Sequence, residues 1–547
     1  GDTYLAYDGL AAPRESVAFY AHGGGGVGSG GDDKFYFRVD FHDLVAKAEE
    51  GNLDIYVVID TGNPSTGNTD LPDEVDLTTS NRWELVVAVY QSGVGQVYTS
   101  PTETVPYAFL DAYFNSDLDS AEFSISRTAL TDAGWLGNMS SLHFQVFTTK
   151  DGTCNSCNDG QPGAGDIGGR NDVRDTIYDD EVAEDYWMSQ EGIKNVLSYY
   201  FSGSSRAGHA KVAVVLHGNQ AIQPGSVIQD LINDGAGAGY NRPLAVHELY
   251  RAPLNLHITP TLASALQWAR TDPNVSESWR TNYYASGPAF NEWIARLVQT
   301  NVVYLLGSTF SDHILPYFTK EYNRDNVALA NEFLGGIYGF VPKTNTVFWT
   351  PERVLDDDVF DKILDMGYEY TLVDQMTHMW HWLGRSTALG DGGYRINRFN
   401  GVKCFVMNDG ASAYRFSNND NGLPMALRAL LSRKARSGTQ DQVVTLMSNW
   451  EDFNTLANAN AYDRNIIWMA NRPWIEIVAL DDIAAGRIDK TWDGVGEGWY
   501  VEDRGTTDRL KITHDWLHHA SETNYDNWYV GSVYEQGLQT NVFEIRS

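Results

Sequence analysis

Lys211-Val212-Ala213-Val214-Val215-Leu216-His217-Gly218-Asn219-Gln220 is where the chain changes rhythm. A short, almost unbroken apolar run breaks on polar residues, and from here onward strand-like and helix-like patterns alternate. Strand candidates at 211–216, 254–258, 302–306, 346–349, 370–373, 402–407 and 443–447 are separated by helical patterns such as 227–231 and 262–270. That alternation predicts a parallel sheet or barrel.

Upstream the pattern is different. Phe35-Tyr36-Phe37-Arg38-Val39-Asp40-Phe41, Leu53 to Ile59 and Trp83 to Val89 are short alternating segments set apart by Gly, Pro and Asn clusters, which predicts an antiparallel β-sandwich. Residues 151–180 are rich in Gly, Asp and Asn and form the expected linker or extended loop. Beyond 455 the mixed, Trp- and His-rich sequence predicts a mainly helical region. The expected division is thus a β-sandwich at 1–180, a distorted (β/α)7-type barrel at 181–455 and a helical C-terminal region at 456–547 packed on the barrel.

At 547 residues the chain is long enough for about three domains of roughly 100–200 residues each. Its 39 Lys+Arg against 72 Asp+Glu give a formal charge of −33, which argues against nucleic acid or anionic lipid as a partner. A neutral polymer such as a glucan meets no such electrostatic penalty, and 16 Trp and 30 Tyr supply flat rings suited to sugar faces. No apolar run approaches the roughly 18 residues of a membrane span. The chain opens at Gly1 without Met, which is consistent with a processed or trimmed chain and points to export: secreted, periplasmic or cell-surface. Cys154 and Cys157 are expected to form a small loop staple, and Cys404 a buried thiol.

In a β/α barrel the loops after the strands build the active site. The residues to weigh are therefore His217 and Gln220, His257, Ser308-Thr309 with Asp312-His313, Trp349 with Glu352-Arg353, Asp374-Gln375 with His378, Asn408-Asp409, and Asn449-Trp450-Glu451-Asp452. Glu352 is the most pointed: it follows a strand and a rigid Pro, and the charge of Arg353 beside it favours the ionised form a nucleophile needs. Neither a His-Glu-x-x-His helix nor a Gly-x-Ser-x-Gly elbow occurs, so catalysis is expected to need no cofactor. The Asp-rich stretch holding Asp166, Asp172, Asp175 and Asp179 offers hard oxygen ligands for a structural Ca²⁺.

With these residues in hand, the chain from about 210 to 455 resembles glycoside hydrolase family 57, the amylopullulanase, α-amylase and 4-α-glucanotransferase group. Leu216-His217-Gly218-Asn219-Gln220 resembles its first motif and Leu254 to Leu262 its Asn-rich strand leading into a helix. Val303-Tyr304-Leu305-Leu306-Gly307-Ser308-Thr309 with Ile314-Leu315-Pro316 is similar to the second, with Tyr304 where the family often has Glu. Phe348-Trp349-Thr350-Pro351-Glu352-Arg353-Val354 resembles the motif that carries the nucleophile, and the stretch from Gly367 to Asp374 the strand that follows it. Val443 to Phe453 occupies the fourth motif, but Asn449 stands where the family has the Asp that serves as general acid/base.

The resemblance implies a retaining α-glycoside hydrolase or transglycosylase acting on α-glucan oligo- or polysaccharides. Glu352 would attack the anomeric carbon, and His217, Gln220, His257, Trp349, Arg353, Asp374, His378 and Trp450 would bind or orient the sugar. An amide cannot protonate a leaving oxygen, so three readings of Asn449 stand: an inactivated variant, an acid nearby at Glu451 or Asp452, or a divergent member. Asp409, on another strand end, is a fourth candidate acid. The resemblance also makes the N-terminal sandwich an accessory, carbohydrate-binding module. Two rivals remain: a non-catalytic carbohydrate-binding protein on a glycosidase scaffold, and a polysaccharide deacetylase, for which the sequence lacks a convincing two-His-plus-Asp metal set.

Overall fold

The computed structural model describes residues 16–23, 33–44, 53–72, 78–91, 95–105, 109–150, 173–177, 196–197, 201–203, 208–219, 239–269, 287–408, 423–436, 441–488 and 499–505. Two compact units divide the chain: residues 1–207 with 428–433, and residues 208–427 with 434–547. The first unit runs past 180 because Phe201–Ser202 pairs with the strand His143–Lys150. Of the aspartates proposed for Ca²⁺, Asp175 lies in the strand Val173–Thr176, and Asp166, Asp172 and Asp179 lie outside the described residues.

In the first unit, the strands Ser16–Gly23, Lys34–Phe41, Ser120–Ser126 and Phe109–Asn115 form one antiparallel sheet. A second is built on His143–Lys150, Leu53–Asp60, Leu85–Tyr90 and Gly95–Tyr98. Alternation does what the sequence asks of it. Phe35, Phe37, Val39 and Phe41 from one sheet meet Ile55, Val57, Ile59, Leu85, Val87 and Val89 from the other in a common buried core. The second sheet buries its other face too, where Tyr56, Val58, Trp83, Val86, Tyr90 and Phe147 cluster.

The second unit is organised by seven parallel strands: β1 Ala210–Gly218, β2 Leu254–Ile258, β3 Val303–Leu305, β4 Val347–Phe348, β5 Tyr370–Asp374, β6 Val402–Met407 and β7 Val443–Asn449. Their order in the sheet is β3-β2-β1-β7-β6-β5-β4. The two outer members are themselves joined: Gly307 N–H donates to Val347 O at 2.9 Å and Trp349 N–H to Gly307 O at 2.9 Å. Spatial order therefore follows chain order and returns on itself. Strands such as β1 and β5 are buried almost throughout, as parallel strands covered on both faces must be.

Local chemistry sets the helix starts between these strands. Thr259 caps α1 (Pro260–Trp268) by accepting from Leu262 N–H at 3.2 Å, with Pro260 in the first turn. Thr319 caps α2 (Lys320–Tyr338), which ends on Gly339 at φ 70°, and Asp356 caps α3 (Asp357–Asp365) by accepting from Val359 N–H at 2.8 Å. Beyond 455 the described residues hold helices Leu456–Ala470 and Leu480–Ala484 and strands Ile475–Ile477 and Val501–Asp503, and Ile475–Ile477 pairs with the start of β1. Cys404 is a buried free thiol. Among the described residues no helix is long and apolar enough to cross a membrane.

At the N-terminal end of β4, the Asp481 carboxylate accepts from Val347 N–H at 3.2 Å, and burial, reinforced by Asp482, raises its pKa to about 7. The folded-state value lies above that of the unfolded chain. The stability it contributes is full below the unfolded pKa of about 3.9 and is lost as pH rises through about 7. Asp481→Asn keeps an acceptor for Val347 and removes this loss. The expected outcome in thermal melts is a variant equal to the parent near about pH 4 and increasingly more stable toward about pH 8; a difference flat with pH would contradict it.

Candidate active site

Because the seven strands are parallel, all their C-terminal ends open on the same side, and the polar residues that follow them collect there. Register makes this concrete: His217 on β1 is level with His257 on β2 and with Asn449 on β7. The loop after β3 contributes Ser308, Thr309 and Asp312, and the turn after β4 contributes Trp349, Glu352 and Arg353.

The histidines form a directed chain. Ser308 Oγ–H donates to Thr309 O at 2.8 Å, so Oγ is left to accept from His257 Nε2–H at 2.7 Å. A neutral His257 then presents a bare Nδ1, which takes the proton of His217 Nδ1 at 2.8 Å. Both rings are neutral at ordinary pH. Burial, with the nearby charge of Arg353, lowers His217 to about 3, and burial lowers His257 well below the usual imidazole range. The two imidazoles lie nearly parallel to the Trp349 indole, with centroids 4.6 and 5.2 Å from it. Trp349 Nε1–H is buried and has no hydrogen-bond partner among the described residues.

Asp312 sits where this chain leaves an acceptor bare, 3.8 Å from His217 Nε2 and 3.9 Å from His257 Nε2. Its Oδ2 accepts from Asn219 Nδ2 at 2.9 Å, while its buried Oδ1 has no hydrogen-bond partner among the described residues. Burial and then the charge of Glu352 push this carboxyl well above the usual carboxylate range, which favours its neutral form. Glu352, half-buried, faces it electrostatically. Asp312, Glu352 and Arg353 all hold left-handed backbone, at φ 55°, 50° and 52°. Such conformations cost free energy in non-glycine residues and recur where a side chain must be aimed.

Arg353 Nε donates to Asp374 Oδ2 at 3.1 Å, and Asp374 is almost wholly buried. His378 is buried as well: Asp374 N–H donates to its Nδ1 at 2.8 Å, so it braces Asp374 rather than opening toward a ligand. Trp450 departs from its expected role. It is fully buried, stacked on Tyr240 at 4.8 Å, with Nε1–H donating to Tyr240 O at 3.1 Å, and offers no face to a sugar. Asn449 and Glu451 are half-buried at the end of β7 and Asp452 is exposed. Asn408 clips β6 to β7 by accepting from Thr445 N–H at 2.8 Å, and His313 Nε2–H donates to Asn323 Oδ1 at 2.7 Å. Gln220 and Asp409 lie outside the described residues. The residue whose weight the sequence undersold is Asp312: the only signal was its place after a strand.

Among the described residues no group of His, Cys, Asp or Glu stands where it could hold a metal ion. His217, His257 and Asp312 do converge, but the imidazoles spend their Nδ1 atoms on each other and His257 spends Nε2 on Ser308.

Residues 229–468 match the model of Glycosyl hydrolase family 57, the family that the motifs resemble. Among solved structures the chain is similar to a 4-α-glucanotransferase from Thermococcus litoralis (13% identity, TM-score 0.40, 54% of this chain and 42% of that one). It is likewise similar to a branching enzyme of the same family type from Pyrococcus horikoshii (12%, 0.38, 55% and 72%) and to the α-amylase AmyC from Thermotoga maritima (10%, 0.37, 57% and 79%). The chain spans less than half the length of the glucanotransferase. No curated protein matches it.

Asp374→Ala leaves the Arg353 guanidinium, 17% exposed, without its carboxylate. The expected cost is roughly 3 kcal/mol of unfolding free energy in denaturant titrations, with much of it recovered in the double variant Arg353→Met/Asp374→Leu. Equal losses in the single and double variants would contradict the pairing.

Proposed function

We propose that this chain is a retaining α-glycoside hydrolase or transglycosylase acting on α-glucan oligo- or polysaccharides, with the second unit as a (β/α)7-type barrel and Glu352 as nucleophile. The observation that carries the reading is Glu352 itself: a carboxylate aimed by left-handed backbone, at the shared strand ends, beside a carboxyl whose neutral form is favoured. A pair of carboxyl groups, one to attack and one to donate a proton, is what a retaining glycosidase uses. The match to Glycosyl hydrolase family 57 over residues 229–468 supports the same substrate class.

His217, the one member of the stacked trio with an exposed edge, would meet a sugar hydroxyl as a neutral imidazole, with the buried His257 and Trp349 packed behind it. Arg353 and Asp374 hold the turn that presents Glu352. A second reading is a carbohydrate-binding protein that has lost turnover, and the amide at Asn449 favours it. The deacetylase reading requires a metal set that His217, His257 and Asp312, hydrogen-bonded as they are, do not offer.

Glu352→Gln is expected to lower cleavage of maltooligosaccharides by ~10³-fold or more while calorimetry still shows them bound. Cleavage at the parent's rate would remove Glu352 from the mechanism. Binding without turnover in the parent, with turnover appearing in Asn449→Asp, would establish the disabled-enzyme reading instead.

A further inference from the structure

The glycoside-cleaving reading leaves a chemical gap. A group must give a proton to the leaving oxygen and later take one from the incoming hydroxyl, and Asn449 can do neither. We propose that Asp312 is the acid/base of this chain, working opposite Glu352 from the neighbouring strand. The inference rests on Glu352 being the nucleophile.

Placement is the first support. Glu352 follows β4 and Asp312 follows β3, the strand joined to β4 through Gly307. Asn449 ends β7, with β5 and β6 between it and β4 in the sheet order. The second is hydrogen bonding. Asn219 satisfies Oδ2, while Oδ1 is buried and bonded to nothing among the described residues. A carboxylate so placed would leave buried lone pairs unpaired, whereas the neutral acid carries a proton there to give. Oδ1 has no existing bond to break when a leaving oxygen approaches, and catalytic contacts tighten only around bound substrate. The third is strain: among residues with side chains, Asp312 shares the left-handed backbone of Glu352 and Arg353.

The charges then run a closed cycle. In the first half, Glu352 bonds to the anomeric carbon as the glycosidic C–O bond breaks; its electrons stay on the leaving oxygen, which takes the proton of Asp312. Esterification removes the Glu352 charge that had disfavoured ionisation at Asp312. The Asp312 carboxylate then forms against burial alone, without the neighbouring negative charge. In the second half it takes a proton from water, or from the hydroxyl of an acceptor sugar. That oxygen bonds to the anomeric carbon as the ester to Glu352 breaks, and both carboxyls return to their starting forms.

The test uses the full chain and two probes: an α-glucosyl fluoride, whose leaving group needs no acid, and a maltooligosaccharide, whose leaving group does. In kcat/KM, which reports formation of the glycosyl-enzyme, Asp312→Asn is expected to stay within about tenfold of the parent on the fluoride and to lose ~10²–10⁴-fold on the maltooligosaccharide, while kcat on the fluoride falls because the base is gone. Added azide, which opens the glycosyl-enzyme without a base, should restore kcat on the fluoride, with α-glucosyl azide as product. Unchanged maltooligosaccharide cleavage in Asp312→Asn, equal loss of kcat/KM on both probes at an unchanged melting temperature, or a ~10²-fold gain on the maltooligosaccharide in Asn449→Asp would each overturn the assignment. Should Asp312→Asn fail to fold, the parent's pH profile decides. A basic limb on the maltooligosaccharide alone supports Asp312, and the same limb on both probes overturns it. Loss of both activities in Glu352→Gln with full retention in Asp312→Asn refutes only this inference. A parent that cleaves neither probe refutes the reading beneath it as well.

Discussion

The backbone bridge at Gly307 is the constraint on which the second unit's site depends. By pairing with Val347 and Trp349, this one residue makes neighbours of the first and last strands in the sheet order, β3 and β4. Only glycine suits the position, since a Cβ there would lie 2.4 Å from the ring of Tyr368. Without the bridge, the loop bearing Asp312 and the turn bearing Glu352 would stand on opposite edges of an open sheet. With it, the charge of Glu352 bears on the ionisation of Asp312, a carboxyl forty residues away in sequence.

Much of this architecture can be read in the chain. Apolar runs closed by polar residues mark β1 at Val212 to Leu216 and β6 at Cys404 to Met407, because a strand buried on both faces has no polar side to alternate with. Alternation in Phe35 to Phe41 likewise reveals a strand with one core face, and the partner strands of the other sheet meet it as expected. The turn that carries Glu352 is marked in the sequence by its place after a strand and Pro351. Strand ends, in short, carry their own signal.

What stayed hidden are properties made only by distant packing. Nothing near Trp450 says that Tyr240 will stack on it and accept its N–H, so a residue one place beyond a strand end looked like a sugar platform and is core. His378 turns back onto Asp374 because residues 375–379 wind as a π-helix, a local departure that residue patterns do not announce. Asp312 looked like one more loop carboxyl. Its difference lies in burial, in the single amide of Asn219 and in the field of Glu352, all of them supplied by other strands.

The imidazole pair carries a polarity that ends on the carbonyl of Thr309, three residues before Asp312 on the same loop. The orientation of every proton from Ser308 back to His217 is thereby moored to that loop's backbone. A shift of that loop would move Asp312 and retune the tautomers of His257 and His217 in one motion, so the carboxyl and the imidazole pair cannot be adjusted separately.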